Sequence, residues 1–215
     1  MVELKKKLPL VFVITGISLV LGSFLCSQSP KFSENKIINS SINNSIKIYK
    51  NDSVTIKRKE FVENAKKYLG TEYIWGGRLT ENNPGLDCLG LIFLPYSKTF
   101  KTKWTEISVN PSEIVKNEQL GKPVEGLEGV LTKDVNLSKL EEGDIIYLLA
   151  KERKINDEPL AEINGKKYWP WHTGIYSNKE KNLFLHAAPL NKVIEQNFKD
   201  YIQQTSDGIF VTRIY

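Results

Sequence analysis

Four short β-rich runs crowd the second half of this chain: GDIIYLLA (143–150), HTGIYS (172–177), NLFLHAA (182–188) and GIFVTRIY (208–215). Each is dense in β-branched and aromatic residues and bounded by turn formers, so they are expected to pair as an antiparallel sheet. Ahead of them, KEFVENAKKYLG sets Phe61, Val62, Ala65, Tyr68 and Leu69 at helical spacing and ends on Gly70, where a helix C-cap belongs. Helix first and sheet afterwards predicts an α+β domain. A chain of 215 residues with 40% hydrophobic content can bury one core of ordinary size.

The N-terminus has a different character. Lys5, Lys6 and Lys7 precede Leu8 to Cys26, a stretch without a charged residue. This reads as an export signal over residues 1–27, with an uncleaved membrane anchor as the alternative because the apolar run approaches spanning length. Cys26 is a candidate for lipidation, although Phe24 and Leu25 fit a small-residue processing pattern poorly. Residues 28–57 follow as a tether. Ten of the 21 residues from Ser33 to Ser53 are Asn or Ser, a composition that buries too little to fold unaided. Its structured alternative is a short strand at SIKIYK (45–50), and the globular domain is expected over 58–215. Residues 28–215 carry 27 basic and 24 acidic side chains, too even a balance to call for a polyanion.

Within the domain, TEYIWGGRLTENNPG (71–85) is rich in turn formers and reads as a loop. CLGLIFL (88–94), between Gly85 and Pro95, passes on periodicity for either a buried strand or a helix. The segment 151–171 reads as a surface excursion holding a two-residue hairpin at Asn164-Gly165. Its Tyr168, Trp169 and Trp171 either form a platform for peptide or sugar or anchor the hairpin on the core; Trp171 is the substrate-site candidate among them. Trp75 reads as a core or loop anchor, and Lys57-Arg58-Lys59 as a solvated charge cluster. There is no basic stripe interleaved with aromatics, no phosphate-binding glycine loop and no dinucleotide fingerprint, so neither nucleic acid nor a cofactor is expected.

Beyond the export segment Cys88 is the only cysteine, so no internal disulfide accounts for it. It is a buried small hydrophobe, a partner in an intermolecular bridge, or a nucleophile. The chain has two histidines, His172 and His186, on neighbouring expected strands. One hairpin could bring both imidazoles to one end, and a Cys-His-His arrangement follows if the Cys88 helix packs there: Cys88 attacks a carbonyl, His172 carries the proton, and His186 orients His172.

YLGTEYIWGG (68–77), GLDCLGLI (85–92), LEEGDIIYL (140–148) and HTGIYSNKEKNLFLHAAP (172–189), taken in order, resemble the NlpC/P60 cysteine peptidases, a papain-like family. The resemblance covers about residues 59–215. It implies a papain-like fold, with N-terminal helices packed on the antiparallel sheet and CLGLIFL as the helix that begins at the nucleophile. It implies Cys88 as nucleophile, His172 as general base and acid, and His186 as the orienting residue. Tyr73 is expected to face the nucleophile and help the Cys88 N–H hold an oxyanion. Asp87 is expected to shape the substrate site, with a plain helix N-cap as its other reading.

The implied reaction is hydrolysis of a γ-D-glutamyl–diamino acid amide in the peptidoglycan stem peptide, through a Cys thioester, by an enzyme of the periplasm or cell envelope that meets the membrane only through its N-terminal segment. Two departures stand out. Leu89 occupies the place where the family has a substrate-contacting serine, and Pro95 is expected to end or kink the nucleophile helix. The alternatives are an amidase or acyltransferase on a non-wall substrate, a zinc site built from Cys88, His172 and His186, and a non-catalytic envelope binding protein.

Overall fold

The fold is built from a first amphipathic helix, a glycine-rich loop, a second helix and then a sheet. In a computed structural model, residues 52–151, 158–189 and 191–215 are described. The expected export segment, Cys26, the SIKIYK strand and most of the tether lie outside these residues. Helix α1 spans residues 52–66 and buries Phe61, Val62 and Ala65, while Leu69 is left exposed. It begins within the segment expected to be tether. Gly70, at φ +84°, turns the chain out of it as the sequence anticipates.

Seven strands follow: β1 (Lys122–Leu131), β2 (Ile145–Lys151), β3 (Ala161–Ile163), β4 (Lys166–Asn178), β5 (Leu183–Ala187), β6 (Val193–Asn197) and β7 (Gly208–Arg213). They form one antiparallel sheet in the order β1-β7-β2-β4-β5-β6, with β3 paired to β4. Helices α2 (Cys88–Phe100) and α3 (Pro111–Lys116) come before the sheet, and α4 (Phe198–Thr205) lies between β6 and β7.

Alternation along the strands divides the buried residues between the two faces. Ile145, Tyr147, Ile175, Leu185 and Phe210 share a cluster with Phe61 of α1, Leu91, Ile92 and Phe93 of α2, and Ile114 of α3. Ile146, Leu148, Tyr176, Phe184, Ile209 and Val211 share the other with Phe198 and Ile202 of α4. Leu91, Ile92 and Phe93 are fully buried, which is worth about 1.5–3 kcal/mol for each side chain. That burial explains why α2 runs on to Phe100 instead of ending at Pro95: Pro95 is itself buried in the helix, and the packing offsets the backbone hydrogen bond it removes. The helix ends where Lys101 turns left-handed at φ 58°.

Two other expectations change. Arg58 is buried: it meets Glu141 at 2.5 Å and lies 3.8 Å from Asp144, tying α1 to the loop before β2, where Arg213 also grips Asp144 at 2.7 and 2.8 Å. The hairpin forms at Asn164-Gly165, both with positive φ (53° and 72°), as a type I′ turn requires. Its second strand, β4, runs on to His172 and beyond, so residues 166–171 are the start of a central strand and not part of a separate excursion, while residues 152–157 of the expected excursion lie outside the described residues. Among the described residues, no helix is long and apolar enough to cross a membrane.

Candidate active site

Cys88 is the first residue of α2, and Asp87 is its N-cap. One Asp87 oxygen accepts from the Gly90 N–H at 2.6 Å and from Arg78 Nη1 at 2.5 Å; the other accepts from the Gly76 N–H at 3.1 Å. Arg78 Nη1 also donates to the Gly77 carbonyl at 2.6 Å, and its guanidinium lies over the Phe93 ring, 5.3 Å from the centroid. Asp87 is therefore both cap and anchor, clamping the 76–78 loop onto the helix start. Gly77 and Gly90 permit that contact. A Cβ on Gly90 would strike the Gly77 carbonyl, and one on Gly77 would strike the backbone of Gly85. Trp75 is 82% exposed on this loop, contrary to its expected role as an anchor.

The histidines come from two strands whose pairing stops short of them. The β4–β5 register runs from Asn178↔Leu183 to Ile175↔Leu185 and ends there. Past that point α2 packs against β4, and the Thr173 backbone, next after His172, is close enough to Cys88 to favour its thiolate. Tyr73, packed on the α2 side of the sheet, and Tyr201 of α4, on the other, both lie near Cys88. Between the two strands, His172 Nε2 and His186 Nδ1 lie 2.8 Å apart, with the rings nearly perpendicular.

A bulge aims His172. On β2, Leu148 faces His172 and Leu149 faces Pro170, leaving Trp171 as the extra residue of β4. Consecutive residues of a regular strand point to opposite faces. The bulge instead lets Trp171 stack on His172, with centroids 5.2 Å apart and planes 27° apart. Trp171 thus packs against the histidine ring. His186 is held in turn by Phe184 (5.0 Å) and Tyr201 (4.7 Å).

Burial sets the charge state. His172 and His186 are 4% and 1% exposed, and desolvation pushes their pKa values down to about 3 and about 4. Desolvation, with Asp87 adding to it, pushes the Cys88 thiol up to about 11, although the Thr173 and Leu89 N–H groups favour the thiolate. The helix N-terminus does not overcome burial, so the resting site holds a neutral thiol and two neutral imidazoles. Tyr73, which burial and the neighbouring Cys88 and Asp87 charges push up to about 12, keeps its proton. Leu89 is partly exposed beside Cys88 and packs against the α2-side core.

Of the site residues named from sequence, Tyr73, Asp87 and Cys88 group at the start of α2, and Trp171, His172 and His186 group on β4 and β5. The structure adds Arg78, Gln196 and Tyr201. Arg78 had a usable signal, a lone arginine in the loop before the cysteine with an aspartate to pair with. Gln196 and Tyr201 had none, since their strand and helix carry no motif.

Comparison with solved structures returns two similar folds. The chain is similar to an N-acetylmuramoyl-L-alanine amidase from Bacteroides uniformis, with a TM-score of 0.48 at 15% identity over 74% of this chain and 98% of that one. It also resembles an NlpC/P60 protein. That structure, from Bacillus cereus, has a TM-score of 0.44 at 19% identity, over 73% of this chain and 40% of the Bacillus one. No family model matches the sequence, and no curated protein matches it.

Proposed function

We propose that this chain is an exported cysteine peptidase of the NlpC/P60 type that hydrolyses an amide bond of peptidoglycan stem peptides, between D-glutamate and the diamino acid. The observation that carries the reading is the 2.8 Å contact between His172 Nε2 and His186 Nδ1. It occupies one nitrogen of His172 and leaves Nδ1 to serve as base for a thiol at the adjoining helix start.

In the proposed reaction, the Cys88 sulfur attacks the scissile carbonyl carbon as its proton passes to His172 Nδ1. The Cys88 N–H, at the head of α2, and the Tyr73 hydroxyl receive the oxyanion. Collapse breaks the C–N bond, His172 gives its proton to the departing amine, and a thioester remains. Water then attacks the thioester, losing its proton to His172. Release of the acid returns the proton to the sulfur. His186 orients His172 throughout and stabilises its cationic form.

Asp87 serves this scheme as cap and loop anchor, and Trp171 as a wall against His172. The zinc reading fits the geometry less well, because the two facing imidazole nitrogens are occupied by each other and could not both ligate a metal.

Leu89 favours a second reading. A partly exposed leucine beside the nucleophile suits an apolar group on the substrate, as in an acyltransferase or amidase acting outside the wall. Digestion of isolated peptidoglycan separates the two: release of γ-D-glutamyl–cleaved stem fragments supports the peptidase, and intact stems beside a Cys88 that still reacts with a thiol probe support the alternative.

A further inference from the structure

Strand β6 contributes a group that the scheme above does not use. In the β5–β6 register Phe184 faces Gln196 and His186 faces Ile194, so Gln196 and His186 are diagonal neighbours on one face. The Gln196 side chain is near enough to His186 to favour its protonated form, against the burial that lowers its pKa. Phe184 and Tyr201 pack on the His186 ring at 5.0 and 4.7 Å, fixing its orientation. The ring retains one freedom, which is the nitrogen that carries its proton.

We infer that Gln196 is a positioning residue: its side-chain oxygen accepts from His186 Nε2–H and thereby keeps His186 Nδ1 bare and His172 Nδ1 open to the thiol. This rests on the reading of His172 as base. Two neutral imidazoles facing each other share one proton between the facing nitrogens. Either His172 Nε2–H donates to a bare His186 Nδ1, or His186 Nδ1–H donates to a bare His172 Nε2. In the second arrangement the proton of His172 is on Nδ1, which then has no lone pair for the Cys88 proton. The first arrangement also survives the reaction. When His172 becomes imidazolium both its nitrogens donate, and only a bare His186 Nδ1 can accept. His186 must then carry its proton on Nε2, a buried atom with no hydrogen-bond partner among the described residues, beside which the β5–β6 register sets the Gln196 side chain. Gln196 is the group available to take it.

The chain has only two histidines, so long-range 1H–15N spectra of the full-length protein contain two imidazole patterns. The expected result is protonation at Nε2 in both rings. Gln196→Leu should mix the His186 tautomers and slow Cys88 alkylation about 10- to 100-fold, the scale on which metal-binding histidines respond to loss of their hydrogen-bond partner. Gln196→Glu, which can only accept, should restore the single tautomer and most of the rate. A wild-type His186 protonated at Nδ1, or a Gln196→Leu protein with unchanged tautomers and rate, overturns the inference. The tautomers are read without substrate. Expected tautomers in a protein that cuts no peptidoglycan would therefore count against the substrate, not against Gln196.

Discussion

Replacing Arg78 with methionine keeps the apolar stem of the side chain but strips the Asp87 carboxylate of its only charged donor. Arg78 and Asp87 are 9% and 6% exposed and meet at 2.5 Å. After the change, Asp87 retains the Gly90 and Gly76 N–H groups, at 2.6 and 3.1 Å, with no positive charge beside it. Breaking a buried ion pair by removing one partner costs about 3–5 kcal/mol. Asp87→Asn leaves an oxygen for the Gly90 cap but strands the guanidinium, with a cost of the same origin. The double variant removes both charges and should recover about 1–3 kcal/mol of the summed single losses, the scale of coupling between contacting residues. Urea denaturation with constant slope reads all three. Single variants that each cost less than about 1 kcal/mol and add without coupling would refute the view that this pair fastens the loop to the nucleophile helix.

Three other outcomes follow from the site. Because burial lifts the Cys88 thiol to about 11 from an ordinary 9.0, the thiol stays neutral at pH 7–9. Its iodoacetamide rate should climb through that range, with about 100-fold less thiolate at pH 8 than an ordinary cysteine holds; a rate that is flat from pH 5 to 8 would reveal a preformed thiolate–imidazolium pair instead. Gly90→Ala drives a Cβ into the Gly77 carbonyl, where only backbone could yield, and should lower stability by about 1–3 kcal/mol in the same urea assay. Tyr201→Ala uncovers His186, whose pKa of about 4 should rise toward the ordinary histidine range in an NMR titration, while Tyr201→Phe should leave it in place.

The parts legible in sequence were those with local signals. Strong β runs gave β2, β5 and β7, the Asn164-Gly165 pair gave the β3–β4 hairpin, and helical spacing ending on Gly70 gave α1. Strand β1 was missed because Pro123, Gly126 and Gly129 interrupt it. Its pairing with β7 carries two register shifts, so no clean alternation marks it. β6 and α4 are five and eight residues long, and in each only two residues or fewer are fully buried, too short a pattern to stand out. Pro95 misled because its helix-breaking tendency is local, whereas the burial of Leu91, Ile92 and Phe93 that overrides it is tertiary. Arg58 misled for the same reason: a basic triplet reads as solvated until Glu141 and Asp144, far along the chain, are brought beside it. Cys88, His172 and His186 stand out in the sequence as candidates by residue type and order, and their proposed roles come from the family resemblance. The bulge at Trp171 that aims His172 depends on strand register, and the depressed acidity of the Cys88 thiol depends on burial, so neither was visible in the sequence.

The most direct measurement is to incubate the purified protein, beside a Cys88→Ala control, with peptidoglycan and its soluble muropeptides, and to identify the products by mass spectrometry. The account predicts stem peptides cut between D-glutamate and the diamino acid, only where Cys88 is present. Intact stem peptides in both samples, or equal cleavage by the Cys88→Ala protein, would contradict it.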